Sequence, residues 1–449
     1  MKKNEMDMCS GPLFFKMLKF TIPIILTVIL QQLFNTADLI VVGKFGHPGA
    51  LAAVGATGPA VNLLVNFFSG FSLGAGICMA RFYGAKNLEM ANKCVHTSVL
   101  LSLIGGSVLA AIGILFTRPL LLLMSTPTDI IDQSVLYMRI YFAGMPFIML
   151  FNFCASILRS VGDSNRTLYY IASAGVINVL LNLIFVIALD LNIAGVAIAT
   201  VISQLYSAFM CIRCFFKYDG CLHLEPKKLR IDARQLKGIA SQGIPCGIQN
   251  SLFSLSNAII QSSINSFGTT VMSGNTAASN IEAYIFFVLN SIGNTTTNFA
   301  SQNFGAGNFK RIKKVMLISL AMISVCGAIL GFVIKLFSNS LLGLYTNIPA
   351  EIEIGILRIS LVVSFQFLCG YMEVFSSLLK GINHPASSTL VSLIGACFFR
   401  IFWIFTVFAK YRRLEILYIS YPISWFCTAV FLAILFFCFI KKDEKAFNH

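Results

Sequence analysis

Four ionisable side chains fall inside long apolar runs of this sequence: Asp38, Glu282, Glu373 and Arg400. Asp38 is the sharpest case. It sits in FTIPIILTVILQQLFNTADLIVVG, residues 20–43, a run long enough to cross the ~30 Å hydrocarbon core of a bilayer at ~1.5 Å per residue. An Asp at the centre of such a helix costs roughly 2.5–3.5 kcal/mol, so the residue is expected to face a cavity, an ion or a partner. Pro23 lies fifteen positions earlier and deletes a backbone donor, which predicts a hinge on the cytoplasmic side of the carboxylate. Three acids and one base in the spans give a formal balance of minus 2, an interior that favours cations. A catalytic reading finds no support. His47, His96, His223, His384 and His449 fall at the ends of apolar runs, in loops or in the tail, and no Ser-His-Asp or HExxH pattern occurs.

The elements that position these groups are transmembrane helices. Of the 449 residues, 57% are hydrophobic and 11% charged, against roughly 25% charged in a soluble domain. Hydropathy predicts an all-α polytopic membrane protein with about twelve spans of ~20 residues, the tenth near 356–378. With the N-terminus inside, 24 of the 33 Lys and Arg residues fall on the cytoplasmic side, which places both termini in the cytoplasm. The net charge of +15 then reports topology and contact with anionic membrane lipids, through clusters at 227–237 and 310–314, and not nucleic-acid binding. The thirteen cysteines show no paired external spacing and predict no disulfide framework. Cys211, Cys214, Cys221 and His223 are read as thiols and an imidazole at a membrane edge rather than a metal site. No signal peptide is evident in the first apolar run.

The chain is also two copies of one unit. A shift of about 221 or 222 residues superposes YGAKN at 83–87 on FGAGN at 304–308, LFTRPLL at 115–121 on LFSNSLL at 336–342, and SILRS at 156–160 on SLLKG at 377–381. Ile22-Pro23 meets Ile244-Pro245, and Asn35 meets Asn257. This predicts two pseudo-symmetric six-helix bundles: an N-terminal lobe at 1–214, a cytoplasmic linker at 215–237 and a C-terminal lobe at 238–449. Six spans per copy give both lobes the same orientation, the parallel-repeat design of rocking transporters.

In motifs the chain resembles the multidrug and toxic compound extrusion (MATE) family of cation-coupled antiporters. The likeness rests on NTADLIVVG at 35–43, AAVGA at 52–56, the GAKN and GAGN turns and LRSVGDS at 158–164, and it covers essentially the whole chain. It implies a cation site in the N-terminal lobe: Asp38 at the family's first-helix carboxylate, Pro23 at the matching kink, Asn178 and Asn182 in the fifth span, and Thr200 similar to the family's hydroxyl ligand. Asn178 and Asn182 are four apart and share a helix face. Some relatives have a second acid where this chain has Asn182, which leaves the ion, Na⁺ or H⁺, open. Others carry a Glu in the seventh span; here 249–257 reads QNSLFSLSN. A C-lobe site would therefore use Glu282, Glu373 or Arg400, with Asn35 and Asn257 as further polar candidates, or these groups form a static buried network.

The resulting expectation is a monomeric bacterial plasma-membrane antiporter with no cofactor beyond its coupling ion. It exports amphipathic, cationic organic compounds by alternating access. The alternative is a flippase for lipid-linked saccharides or peptidoglycan precursors, which would line its cavity with several basic residues; only Arg400 is clearly within a span. A non-transporting sensor would not need a duplicated, hinge-bearing bundle.

Overall fold

The computed structural model describes residues 5–47, 49–124 and 126–448. His449 lies outside them. Among the described residues the regular elements are all helices. Its long elements are α1 Leu13–Phe45, α2 Ala50–Gly84, α3 Leu88–Leu123, α4 Ile131–Ala143, α5 Met145–Ser160, α6 Ser164–Ala188, α7 Asn192–Phe216, α8 Ala233–Asn265, α9 Thr269–Gly305, α10 Phe309–Leu336, α11 Pro349–Gly381, α12 Pro385–Phe408 and α13 Leu414–Asn448. Nine are long and apolar enough to cross a membrane, and α4 with α5, bent by 46° at Gly144 just before Pro146, make a tenth crossing. The other two, α8 and α9, have 33 and 37 residues, ample length, but their apolar runs are broken by Gln, Asn, Ser and Thr. Twelve helical rods result, as the sequence predicts.

The turns show how the duplicated motifs act. In YGAKN the backbone leaves α2 through Lys86 at φ 56°, and the Asn87 side chain caps α3 by accepting from the Met90 N–H at 3.1 Å. In FGAGN the left-handed position is Gly307 at φ 68°, and Asn308 caps α10 by accepting from Arg311 N–H at 3.2 Å. Glycine adopts that conformation without the Cβ penalty that Lys86 bears. The same exit recurs at Gly162 (φ 92°) before α6 and Asn383 (φ 72°) before α12.

Two compact units emerge. One holds residues up to Asp7 together with Ile22–Gly247, the other Met8–Thr21 and Ile248–His449. The divisions fall inside α1, one residue before Pro23, and inside α8, two residues after Pro245. In the first unit α5 packs on α2, α3 and α7, and Phe142, Phe153 and Leu158 are shielded in its core. There α2 meets the start of α8 through Gly70, Gly74, Gly243 and Gly247: a Cβ on Gly70 would collide with the backbone of Gly247. Two glycines four apart on each helix allow this approach. In the second unit the latter part of α11 packs on α9 and α13, and Phe299, Ile323, Leu378 and Phe436 are fully buried.

Residues 215–237, read from sequence as a linker, are fastened to the first unit. Tyr218, Leu222 and Leu224 are buried in its core, and Asn92 of α3 donates to the Cys221 and His223 carbonyls at 3.1 and 2.8 Å. His96 Nε2 accepts from the Glu225 N–H at 3.1 Å, and Nδ1 faces the Asn92 carbonyl at 2.9 Å, which fixes a neutral ring with its proton on Nδ1. Burial pushes the Cys221 thiol up to about 11, away from the thiolate a metal needs. No metal-sized cluster of His, Cys, Asp and Glu occurs among the described residues. Asp163 caps α6 by accepting from Arg166 N–H at 3.1 Å and pairs with the Arg166 side chain at 3.2 Å.

Candidate functional site

In the first unit, α1, α6 and α7 bring four polar side chains to one point. Asn182 Nδ2 donates to Asp38 Oδ1 at 2.5 Å and lies 3.3 Å from Asn178 Oδ1. Thr200 Oγ1 is 3.5 Å from Asp38 Oδ2 and accepts from Asn178 Nδ2 at 3.5 Å. Asn178 and Asn182 are buried because α6 turns this face inward, and Gly175, one turn before Asn178, takes the ring of Phe34 where a Cβ would stand. A π-helical stretch begins directly after Asn182, at Leu183–Ala188. The Asn182 Oδ1 oxygen is buried with no hydrogen-bond partner among the described residues.

This group offers one carboxylate, two amide oxygens and a hydroxyl oxygen within reach of one another. That is a hard-oxygen set with a single full negative charge, suited to a monovalent cation or a proton. The orphaned Asn182 oxygen is an acceptor that a cation would satisfy. All four sequence candidates for the cation site therefore meet. Asn35, three residues before Asp38, is exposed on α1. Pro23 lies within an uninterrupted α1, where its carbonyl accepts from the Thr27 hydroxyl at 2.7 Å.

The second unit carries a different site, a cavity of about 380 Å³. Glu282, Glu373, Arg400 and Asn257, all sequence candidates, line it. Two cations outside that set join them, Arg358 and Lys380. Glu282 is committed to Arg358, whose Nε and Nη2 reach Oε2 at 3.1 and 2.7 Å. The same guanidinium donates through Nη1 to Asn275 Oδ1 at 2.7 Å, an oxygen that also accepts from the Tyr418 hydroxyl at 3.0 Å. Arg400 makes no hydrogen bond to this network among the described residues, but its guanidinium and that of Arg358 stand 4.3 and 5.4 Å from the centroid of the same Tyr421 ring.

The sequence balance of minus 2 therefore does not describe this cavity. Three cations against two carboxylates leave it at plus 1. Arg358 and Lys380 both lie at the ends of the predicted tenth span, where basic residues ordinarily reach for head groups. Arg358 falls two residues inside the predicted start of the tenth span and Lys380 two beyond its predicted end, whereas α11 extends from Pro349 to Gly381 and buries both. The cavity also accounts for the polarity of α8 and α9: Gln249, Asn250, Asn257 and Gln261 of one and Asn275, Ser279 and Asn290 of the other face it.

Comparison with known proteins agrees with this architecture. The MatE family model matches residues 23–184 and 245–406, once in each repeat. Among curated proteins, a probable multidrug resistance protein of Bacillus subtilis, YoeA, is 28% identical over 435 residues, 95% of this chain and 94% of the relative. An FAD transporter of Shewanella oneidensis is 25% identical over 406 residues, 87% of each chain. Among solved structures, a multidrug resistance MATE family transporter of the MOP superfamily, in an outward-facing conformation, has the same fold, with a TM-score of 0.90 at 22% identity over 98% of each chain. The match in both halves and over most of the sequence places this chain in the MatE family, and it is a multi-pass membrane transporter rather than an enzyme.

Proposed function

We propose that the protein is a secondary antiporter that exports amphipathic organic compounds from the cytoplasm in exchange for Na⁺ or H⁺ bound at Asp38. The observation that carries this reading is the convergence of Asp38, Asn178, Asn182 and Thr200, with one buried amide oxygen lacking a partner. The names of the relatives span multidrug resistance and FAD transport, so the exported class is amphipathic and organic. An external cation would displace the Asn182 donor from Asp38 and draw α6 and α7 onto α1. Pro23 has no N–H to bond the Lys19 carbonyl, which makes that turn the place where α1 gives. One charge moving through ~100 mV supplies about 2.3 kcal/mol, and this drives export when ion and substrate binding exclude each other.

The test is efflux of rhodamine 123 or fluorescein from proteoliposomes under an imposed Na⁺ gradient and, separately, a pH gradient, with Asp38→Asn alongside. Flux driven by one gradient and lost in the variant is the expected result and names the ion. Folded protein that moves neither compound under either gradient sinks the reading. A second reading, a flippase for lipid-linked saccharide precursors, gains from Arg358, Lys380 and Arg400 in one cavity, since basic groups hold phosphates. It predicts transbilayer movement of a fluorescent polyprenyl-phosphate sugar and no efflux of either dye.

A further inference from the structure

We propose that the cavity of the second unit is a receptor for an organic anion, with Arg400 as the charge that recognises it and Tyr421 and Trp425 as the platform for an adjoining flat ring. The proposal rests on the transporter reading for its substrate class and deepens it.

Arg400 has a side chain whose surroundings satisfy only part of it. It is 6% exposed, its Nε donates to Ser424 Oγ at 2.8 Å, and its Nη2 is buried with no hydrogen-bond partner among the described residues. The guanidinium carbon stands 4.3 Å from the Tyr421 ring centroid and 5.5 Å from that of Trp425. Aromatic faces attract a cation but do not neutralise it. A buried cation without an anion is costly unless something supplies one, and neither carboxylate of the cavity forms an ion pair with Arg400 among the described residues. Glu282 is held by Arg358, and Glu373 makes no ion pair among the described residues. Lys380, also lining the cavity and 5% exposed, adds a second cation without an ion pair among the described residues.

The repeat sharpens the point. In the fifth and eleventh spans the shift of 222 places Thr167-Leu168 on Thr389-Leu390 and therefore Asn178 on Arg400; in the first and seventh it places Asp38 on Ile260. At the position of Asn178, which contacts Asn182 and Thr200 of the Asp38 group, the second unit has a guanidinium, and at the position of Asp38 it has the apolar Ile260. A fixed positive charge stands where the first unit would hold a mobile one. A guanidinium with free N–H groups is a fork for carboxylate, sulfonate or phosphate oxygens. A cavity of about 380 Å³ is within the ~300–1,000 Å³ typical of small-molecule sites. The class it fits is a flat aromatic compound carrying an anionic group at its edge.

The test uses two dyes that share a tricyclic xanthene core and differ in charge, fluorescein as the anion and rhodamine 123 as the cation. Binding to the full-length detergent-solubilised protein is followed by fluorescence anisotropy. The wild type is expected to prefer fluorescein by about tenfold or more. Arg400→Gln is expected to abolish that preference with rhodamine 123 binding no weaker, Arg400→Lys to keep part of it, and Tyr421→Leu to weaken both dyes. A wild type that prefers rhodamine 123, or a preference for fluorescein that survives Arg400→Gln, overturns the proposal. Should Arg400→Gln fail to fold, the wild-type ratio and Arg400→Lys decide the matter. A role of Arg400 confined to holding α12 against α13 would weaken both dyes equally. A failed antiport test with the anion preference intact would sink only the antiport reading.

Discussion

The Asp38 site and the Arg400 site are related through the repeat, with Arg400 at the position of Asn178 and Ile260 at that of Asp38, and their electrostatics are opposite. In the first unit a carboxylate is surrounded by neutral oxygens and amide donors, with no cationic side chain pairing it among the described residues. In the second a guanidinium is surrounded by aromatic rings and a hydroxyl, with no carboxylate pairing it among the described residues. Duplication has preserved what packing requires, the GAKN and GAGN turns and the Asn caps that restart the helices. It has let charge diverge where packing is indifferent. Two sites of opposite sign on one scaffold can serve two ligands of opposite sign, the coupling ion in one unit and an anionic substrate in the other.

The most forceful way to break this comparison is to write the second site into the first. Asn178→Arg places a guanidinium beside Asp38, where the two side chains can pair directly. Gradient-driven efflux should fall by about 100-fold or more, because a fixed cation competes with the mobile one at every step. Efflux at wild-type rates would mean that Asp38 does not carry the ion. Next in size is the removal of one carboxylate from each unit. Glu282→Gln leaves Arg358 buried without its anion, a loss of about 3–5 kcal/mol that appears as a large fall in the thermal midpoint of the solubilised protein. Asp38→Asn removes a charge that no cation balances, so its midpoint should move by less than about 1 kcal/mol equivalent. Equal destabilisation by both would show that Asp38 is a structural group.

How far these sites could be read from the sequence follows from the same contrast. The rods were legible because length and hydropathy suffice for the apolar ones, and because the repeat carries α8 and α9, whose polarity alone argues against a span. The Asp38 group was legible because a lone carboxylate in an apolar run is conspicuous, the i, i+4 spacing sets Asn178 and Asn182 on one face, and the family likeness supplies Thr200. Arg358 and Lys380 were not. Each lies within two residues of a predicted span end, where basic residues ordinarily reach for head groups, and the anion that reveals Arg358 as buried is Glu282 on a different helix. The region at 215–237 mixes two signals in a related way. Its Lys and Arg residues mark a solvent-facing segment, while Tyr218, Leu222 and Leu224 between them anchor it, and that alternation has no regular period.

A smaller effect sharpens the account of the ion site. Thr200 offers Asp38 a hydroxyl at 3.5 Å while donating to the Val196 carbonyl at 3.0 Å, so its oxygen lone pairs remain for an ion. Thr200→Val keeps the shape and deletes that oxygen. A hydrogen-bond-sized loss of about 1–1.5 kcal/mol predicts a roughly tenfold rise in the ion concentration that gives half-maximal efflux, with the maximal rate retained. An unchanged ion dependence would remove Thr200 from the ligand set.

The smallest effect concerns how the two units start the helices that carry Asn178 and Arg400. In the first unit Asp163 is fully buried, caps α6 and pairs with Arg166; in the second His384 precedes Pro385 with no side-chain cap, stacked on Phe439 at 4.1 Å and paired with Asp443 at 3.0 Å. Burial raises the Asp163 carboxyl above its ordinary 3.8, against the cap and the Arg166 charge that lower it. Its ionised form is thus held less well in the fold than in the open chain, and stability is lost as pH rises through the raised value. Asp163→Asn keeps an equally good cap acceptor without the charge, so it should shift stability at neutral pH by less than about 1 kcal/mol and flatten its dependence on pH just above the ordinary carboxylate range. Asp163→Ala loses the cap as well and should cost about 0.5–2 kcal/mol at every pH. If Asn proves as costly as Ala, the pairing with Arg166 outweighs the cap, and charge, not turn geometry, starts the helix that carries the ion site.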